Sequence, residues 1–367
     1  MSRWSKGMVM AALLMAVIGC GHDKTEEEKR IEKIKPFVDR GFNAFRLKDY
    51  DKAIKEWEQA LAINSGLDYL YTNIGQAYYF LDQQDKALEY WLKYLEKNPK
   101  NAHIHNNLGS YYKDRKEFDQ AIEYYKKAIE YHPSYILPYY NLGLIFNETG
   151  RISEAVAYID KALQIAPEDY RLAMLRAKLY VSENKPDQAI AMYRRCIARV
   201  PQEPEARIYL AELLIKTGEL EEAATEIETV SVQTPGFPLI DYVTALLDLT
   251  KKEHLEDIPQ RIDNVAKANP PDMIKYWIVT IKAYLLMNKP QLALETIDRL
   301  LVGVAEGDKS TRSELAYLKG KAFAGLNNGT QAASEFNNAL QMDPTTPNRE
   351  AIQRHLADLN GASHEEG

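Results

Sequence analysis

The chain has 367 residues, 46% of them hydrophobic and 27% charged, the proportions of a protein that buries a core. A formal charge of −7 argues against a nucleic-acid binder, which would carry a basic stripe. Two cysteines, Cys20 and Cys196, are too few for a disulfide framework.

The first predicted element is a leader. Arg3 and Lys6 form a positive n-region ahead of a mostly apolar run from Gly7 to Ile18. A membrane-spanning helix needs about 20 apolar residues, so this run reads as the h-region of a signal peptide covering 1–19. It ends in Val17-Ile18-Gly19-Cys20, which resembles the bacterial lipobox. The resemblance implies diacylglyceryl transfer to the Cys20 sulfur, cleavage after Gly19 and acylation of the new amino group. One acyl chain binds a bilayer marginally, at about 0.8 kcal/mol per buried CH₂, whereas two or more hold stably. Gly21 stands where an aspartate would resemble an inner-membrane retention signal. The expected address is therefore a lipid anchor in the outer membrane, facing the periplasm. The periplasmic face of the inner membrane and a Gram-positive cell surface are the alternatives. Residues 20–33 form a polar tether, with Thr25 and Glu28 spaced for a capping box.

From 34 onward the chain repeats with a period of 34 residues. Gly41, Gly75, Gly109, Gly143, Ala177 and Ala211 share one register. Ala53, Ala87, Ala121, Ala155, Ala189 and Ala223 share a second, and Pro99, Pro133, Pro167, Pro201 and Pro235 a third. Apolar residues recur at helical spacing on both sides of a short polar turn, so each unit is a pair of helices, A and B. The period and residue types resemble the tetratricopeptide repeat. That resemblance implies an all-α fold, a right-handed superhelix of stacked antiparallel helix pairs. Small residues at positions 8 and 20 permit a close helix crossing. Position 24 (Trp57, Trp91, Tyr125, Ile159, Tyr193, Ile227) fills space against the next helix A, and proline at 32 stops helix B. Cys196 takes a small core slot, as a buried and inert thiol.

Six repeats occupy 34–237 and three looser ones 238–346. The seventh, about 239–272, puts Leu246, Ile258 and Val265 in the small slots. The eighth is marked by Ala293 and Pro290, the ninth by Gly320, Ala332, Ala339 and Pro344. Residues 347–367 form a solvating cap helix over 349–359 and a disordered tail, GASHEEG.

No catalytic or metal motif emerges. His103 and His105 are two apart, about 200° around a helix, and share no ligand face. Glycine-rich phosphate loops, HExxH and GxSxG are absent from the sequence. An enzyme is not expected, nor are a metal, a cofactor or a small-molecule substrate.

By the resemblance, helix A of each repeat lines the concave groove. Asn73, Asn107 and Asn141 recur there at one-repeat spacing. Each offers both a donor and an acceptor. They either pair with the backbone of an extended peptide, as the family's asparagines do, or are simply the common residue at this position, satisfied by a neighbouring turn. Fourteen of the 24 tyrosines lie between Tyr69 and Tyr140. Of these, Tyr71, Tyr78, Tyr112, Tyr125 and Tyr139 fall in core positions. Tyr69, Tyr79, Phe80 and Tyr140 fall in the groove, where aromatic residues make binding hot spots. With Gln76, His103 and Leu144 they complete the candidate surface. The carboxylate clamp of chaperone-binding relatives is not expected, because its slots hold Thr72, Gln76, Asn107, Leu137 and Asn141 and its basic residues are missing. These features point to a non-catalytic, membrane-anchored scaffold for other proteins or extended peptides, serving cell-envelope, pilus or secretion assembly. A permanent structural part of an export machine is the alternative.

Overall fold

The computed structural model describes residues 25–270 and 273–365, with side chains to Leu359; the leader and Cys20 lie outside the described residues. Those residues form nineteen helices and no strand. They group into two units that part between Ala166 and Pro167.

In the first unit the helices are α1 (Glu26–Arg46), α2 (Tyr50–Ile63), α3 (Asp68–Phe80), α4 (Gln84–Lys97), α5 (Ala102–Asp114), α6 (Phe118–Tyr131), α7 (Ile136–Glu148) and α8 (Ile152–Ile165). The second unit holds α9 (Tyr170–Ser182), α10 (Pro186–Arg199), α11 (Pro204–Thr217), α12 (Leu220–Gln233), α13 (Leu239–Lys251), α14 (Ile258–Lys267), α15 (Met273–Leu286), α16 (Pro290–Leu301), α17 (Lys309–Gly325), α18 (Gly329–Met342) and α19 (Arg349–Glu365). Within each unit, successive helices pack as pairs and each pair stacks on the next. No described helix is long and apolar enough to cross a membrane.

Three devices make the pairs. At the start, the Thr25 hydroxyl accepts from Glu28 N while the Glu28 carboxylate accepts from Thr25 N at 2.8 Å, the expected capping box. Residues 26–33 of the tether are thus already the first two turns of α1. Between helices A and B the chain reverses through a left-handed residue, at φ 61° for Lys48, 58° for Asp82, 60° for Lys116, 56° for Asn184 and 60° for Lys252. Gly150 and Gly218 occupy the same register, so the 34-residue spacing holds through Lys252. At the end of helix B, α4, α6, α8, α10 and α12 each stop two residues before the register proline. The residue before a proline is sterically barred from helical geometry.

The core follows the period. Ala53, Ala87, Ala121, Ala155, Ala189 and Ala223 are all fully buried, and so are Trp57, Tyr125 and Ile159. The position-24 rings lie differently from the sequence expectation. Rather than only reaching toward the next pair, Trp57, Trp91 and Tyr125 each cover the glycine of their own pair. A Cβ at Gly41 would stand 2.3 Å from Trp57 Nε1, at Gly75 2.5 Å from Trp91 Nε1, and at Gly109 2.6 Å from Tyr125 Cε1. Gly320 repeats the arrangement with Phe336. Glycine is needed because the facing ring occupies the space a methyl would take.

Two expectations are corrected. Leu246 is only half-buried, and its neighbour Ala245, 34 residues after Ala211, is the buried small residue. Helix A therefore keeps the register, whereas helix B loses it. The turn lengthens to residues 252–257, and α14 begins only at Ile258. The tail is helical rather than disordered as far as Glu365. Its helix docks through Ile352, Leu356 and Leu359 on the cluster around Phe336.

Candidate functional site

Helices α3 and α5 present the candidate groove residues on adjacent elements. Tyr69, Asn73, Gln76, His103 and Asn107 line one cavity of about 280 Å³. Asn107 Nδ2 donates to Gln76 Oε1 at 3.3 Å, joining the two helices through side-chain amides. Each amide of this pair has hydrogen-bonding capacity beyond that one bond. Tyr69 is 44% exposed and offers a large apolar ring at the rim. Burial, aided by the Asp39 charge, holds its phenol neutral. The His103 ring packs against Tyr135 of the following turn, with centroids 4.5 Å apart and planes inclined by 56°, which fixes its orientation.

The other five residues lie elsewhere. Tyr79 donates its hydroxyl to the Asp114 carboxylate and packs on Trp91, so it ties α3 to α5 near their C-terminal ends. Burial first, then that carboxylate, raises its pKa. Phe80, at the end of α3, stacks on Tyr50 of the preceding pair at 5.1 Å. Asn141 Nδ2 donates to the buried Asn106 Oδ1 at 3.3 Å rather than entering the cavity. Tyr140 and Leu144 are half-buried on α7 beside it. The three asparagines, equivalent in sequence, thus have separate surroundings. Asn73 and Asn107 share a cavity, and Asn141 braces the next pair.

A profile of the tetratricopeptide repeat matches residues 72–136, and a second one matches 113–179 and 180–247. Residues 72–247 are tetratricopeptide repeats. No curated protein matches the chain. Among solved structures it is similar to a tetratricopeptide-repeat protein from Parabacteroides merdae, at 19% identity and TM-score 0.55, over 70% of this chain and 98% of that one. PilF from Pseudomonas aeruginosa is similar at 19% identity and TM-score 0.51, over 59% and 99%. PilW, a type IV pilus biogenesis factor, is similar at 19% identity and TM-score 0.52, over 57% and 98%. At these identities the likeness establishes the fold.

Tetratricopeptide repeats generally serve protein interaction rather than catalysis, and His105 has a packing role. His105 Nε2 meets the Pro99 carbonyl at 2.8 Å inside the stack. Among the described residues no group of three acidic, histidine or cysteine side chains could hold a metal. Burial pushes the Cys196 thiol up to about 11. Four residues that line the cavity escaped the sequence reading: Thr72, Tyr94, Asn101 and Ile104. Asn101 could have been found. It stands one residue before the first of α5, accepts from His103 N and Ile104 N as an N-cap, and donates to Tyr94 Oη at 2.9 Å.

Proposed function

We propose that the protein is a lipid-anchored scaffold that captures an extended segment of a partner protein in the Asn73–Asn107 cavity, in service of cell-envelope assembly. The observation that carries this reading is the cavity's chemistry. Amides from two successive repeats face one space, flanked by the rings of Tyr69 and Tyr94. An amide row can donate to and accept from a peptide backbone in register, while the rings supply apolar area with a polar tip.

The anchor rests on the leader sequence. Cys20 precedes Glu26 by six residues, and an extended chain spans at most about 3.6 Å per residue. The first helix would then start within about 20 Å of the bilayer. The likeness to PilW, a type IV pilus biogenesis factor, suits an envelope setting.

A photo-crosslinking residue placed at Tyr69, in whole cells, tests the reading against the same residue at Glu123 on the exposed face of α6. The scaffold reading expects one abundant adduct from position 69 and none from position 123. Equal labelling at both positions, or adducts only at 123, would reject the cavity as the capture site.

A further inference from the structure

The second unit carries a cavity of different character. It has a volume of about 330 Å³, and Leu249 on α13, Leu285 and Leu286 on α15 and Pro290 on α16 form its apolar wall. Lys282 on α15 and Lys321 on α17 supply its charge. Leu286 is 47% exposed, a large apolar side chain left partly in water. The two lysines are not equivalent. Lys282 Nζ is paired with Glu314 Oε1 at 2.9 Å. Lys321 meets no carboxylate among the described residues; its Nζ lies 5.8 Å from the centre of the Tyr317 ring. Burial, and then repulsion from Lys282, holds its ammonium below the ordinary lysine range. The wall is also built closely, since a Cβ at Gly325 would stand 3.3 Å from Pro290 Cβ. That glycine lets α17 close against the start of α16.

Two ammonium groups against one carboxylate leave a positive charge in a partly desolvated place beside exposed leucine. A carboxylate there gains a charge-assisted hydrogen bond in a medium less screened than water. We propose that this cavity binds an extended, acidic segment of a partner protein, seating an aspartate or glutamate side chain on Lys321 and a neighbouring apolar side chain on Leu249, Leu285 and Leu286. The site belongs to the second unit and does not rest on the Asn73–Asn107 cavity.

The test uses the full-length protein and fluorescein-labelled, C-terminally amidated peptides in which leucine alternates with glutamate, glutamine or lysine, read by anisotropy. The glutamate peptide should bind at least tenfold more tightly than the glutamine peptide, and Lys321→Met should abolish that difference. Lys321→Glu guards against a trivial loss of folding, because it should transfer the preference to the lysine peptide. Equal binding of glutamate and glutamine peptides, or a glutamate preference that survives Lys321→Met, would overturn the proposal. So would stronger capture of a glutamine peptide with a free C-terminus, or displacement by laurate alone, which would assign the cavity to a terminal carboxylate or to a lipid.

Discussion

Gly75→Ala is the sharpest probe of how the repeats close. In an isolated helix the change is favourable by about 1 kcal/mol, because alanine costs less backbone entropy. Here the new methyl would stand 2.5 Å from Trp91 Nε1 and 2.6 Å from Cδ1. Apolar contacts prefer about 3.5–4.0 Å, so the indole must retreat by about 1 Å. It has nowhere to go, being 1% exposed beneath its own pair. Overpacking of this kind typically costs about 1–3 kcal/mol, which outweighs the propensity gain in most of that range. The net expectation is a loss of up to about 2 kcal/mol, felt mainly in α3, α4 and their neighbours, since repeat stability is a sum of local and nearest-neighbour terms. Amide hydrogen exchange across residues 68–97 reads it without assuming a single global transition. The decisive comparison is a double-mutant cycle with Trp91→Leu. Once the ring is gone, Gly75→Ala should change sign and stabilise by up to about 1 kcal/mol. Stabilisation by Gly75→Ala in the presence of Trp91 would refute the ring-over-glycine account.

Three further expectations follow from other elements. Lys116 is held at φ 60°, where an L-residue bears about 1–2 kcal/mol of strain, so Lys116→Gly should raise local protection by about 0.5–1 kcal/mol and Gly218→Ala should lower it. Burial keeps His105 neutral, against the opposing pull of its bond to the Pro99 carbonyl, and its Nδ1 is buried without a partner. A depressed histidine gives stability that is complete above the unfolded value near 6.5 and is lost as pH falls below it. Protection factors in α5 and α6, taken relative to the intrinsic amide exchange rate at each pH, should therefore fall from about pH 7.5 to about pH 5, and His105→Gln should flatten that slope; an unchanged slope would place the titration elsewhere. Cys20→Ala should abolish acyl labelling and leave the precursor uncleaved, and undiminished labelling would remove the anchor from the proposal.

Much of this architecture was legible because a repeat fold writes each constraint several times. One alanine means little, but six in a fixed register, all fully buried, identify the crossing of two helices. Prolines at the same spacing mark where each helix B stops. Where a constraint acts on the backbone alone, the sequence is quieter. Lys48, Asp82, Lys116 and Lys252 sit left-handed with side chains that give no warning, and only Gly150, Asn184 and Gly218 betray the turn. Leu246 takes the small slot only when the register is counted back from the displaced helix B; counted from Ala211, the slot falls on Ala245.

The site was legible in part for a related reason. Register places Asn73, Asn107 and Asn141 alike, yet whether an amide faces a cavity depends on the neighbour one repeat away. Gln76 joins Asn107 to the cavity, and Asn106 draws Asn141 away from it. Phe80 has a groove position by count, but it ends its helix and turns back onto Tyr50. Thr72, Tyr94, Asn101 and Ile104 belong to the cavity only once α3, α4 and α5 are packed.

The central claim is that the amides of Asn73 and Asn107 grip a partner's backbone, and one affinity comparison tests it most directly. The partner segment captured at Tyr69 is titrated against Asn73→Ala/Asn107→Ala and against Glu89→Ala/Glu123→Ala/Lys161→Ala, the last three being exposed on helices α4, α6 and α8. Each lost hydrogen bond is worth about 0.5–1.5 kcal/mol net, and about 1.4 kcal/mol is a decade of affinity. The account expects the amide variant to bind about tenfold more weakly with unchanged helix content, and the helix-B variant to bind as the parent does. Loss of binding in the helix-B variant, with the amide variant unaffected, would contradict it.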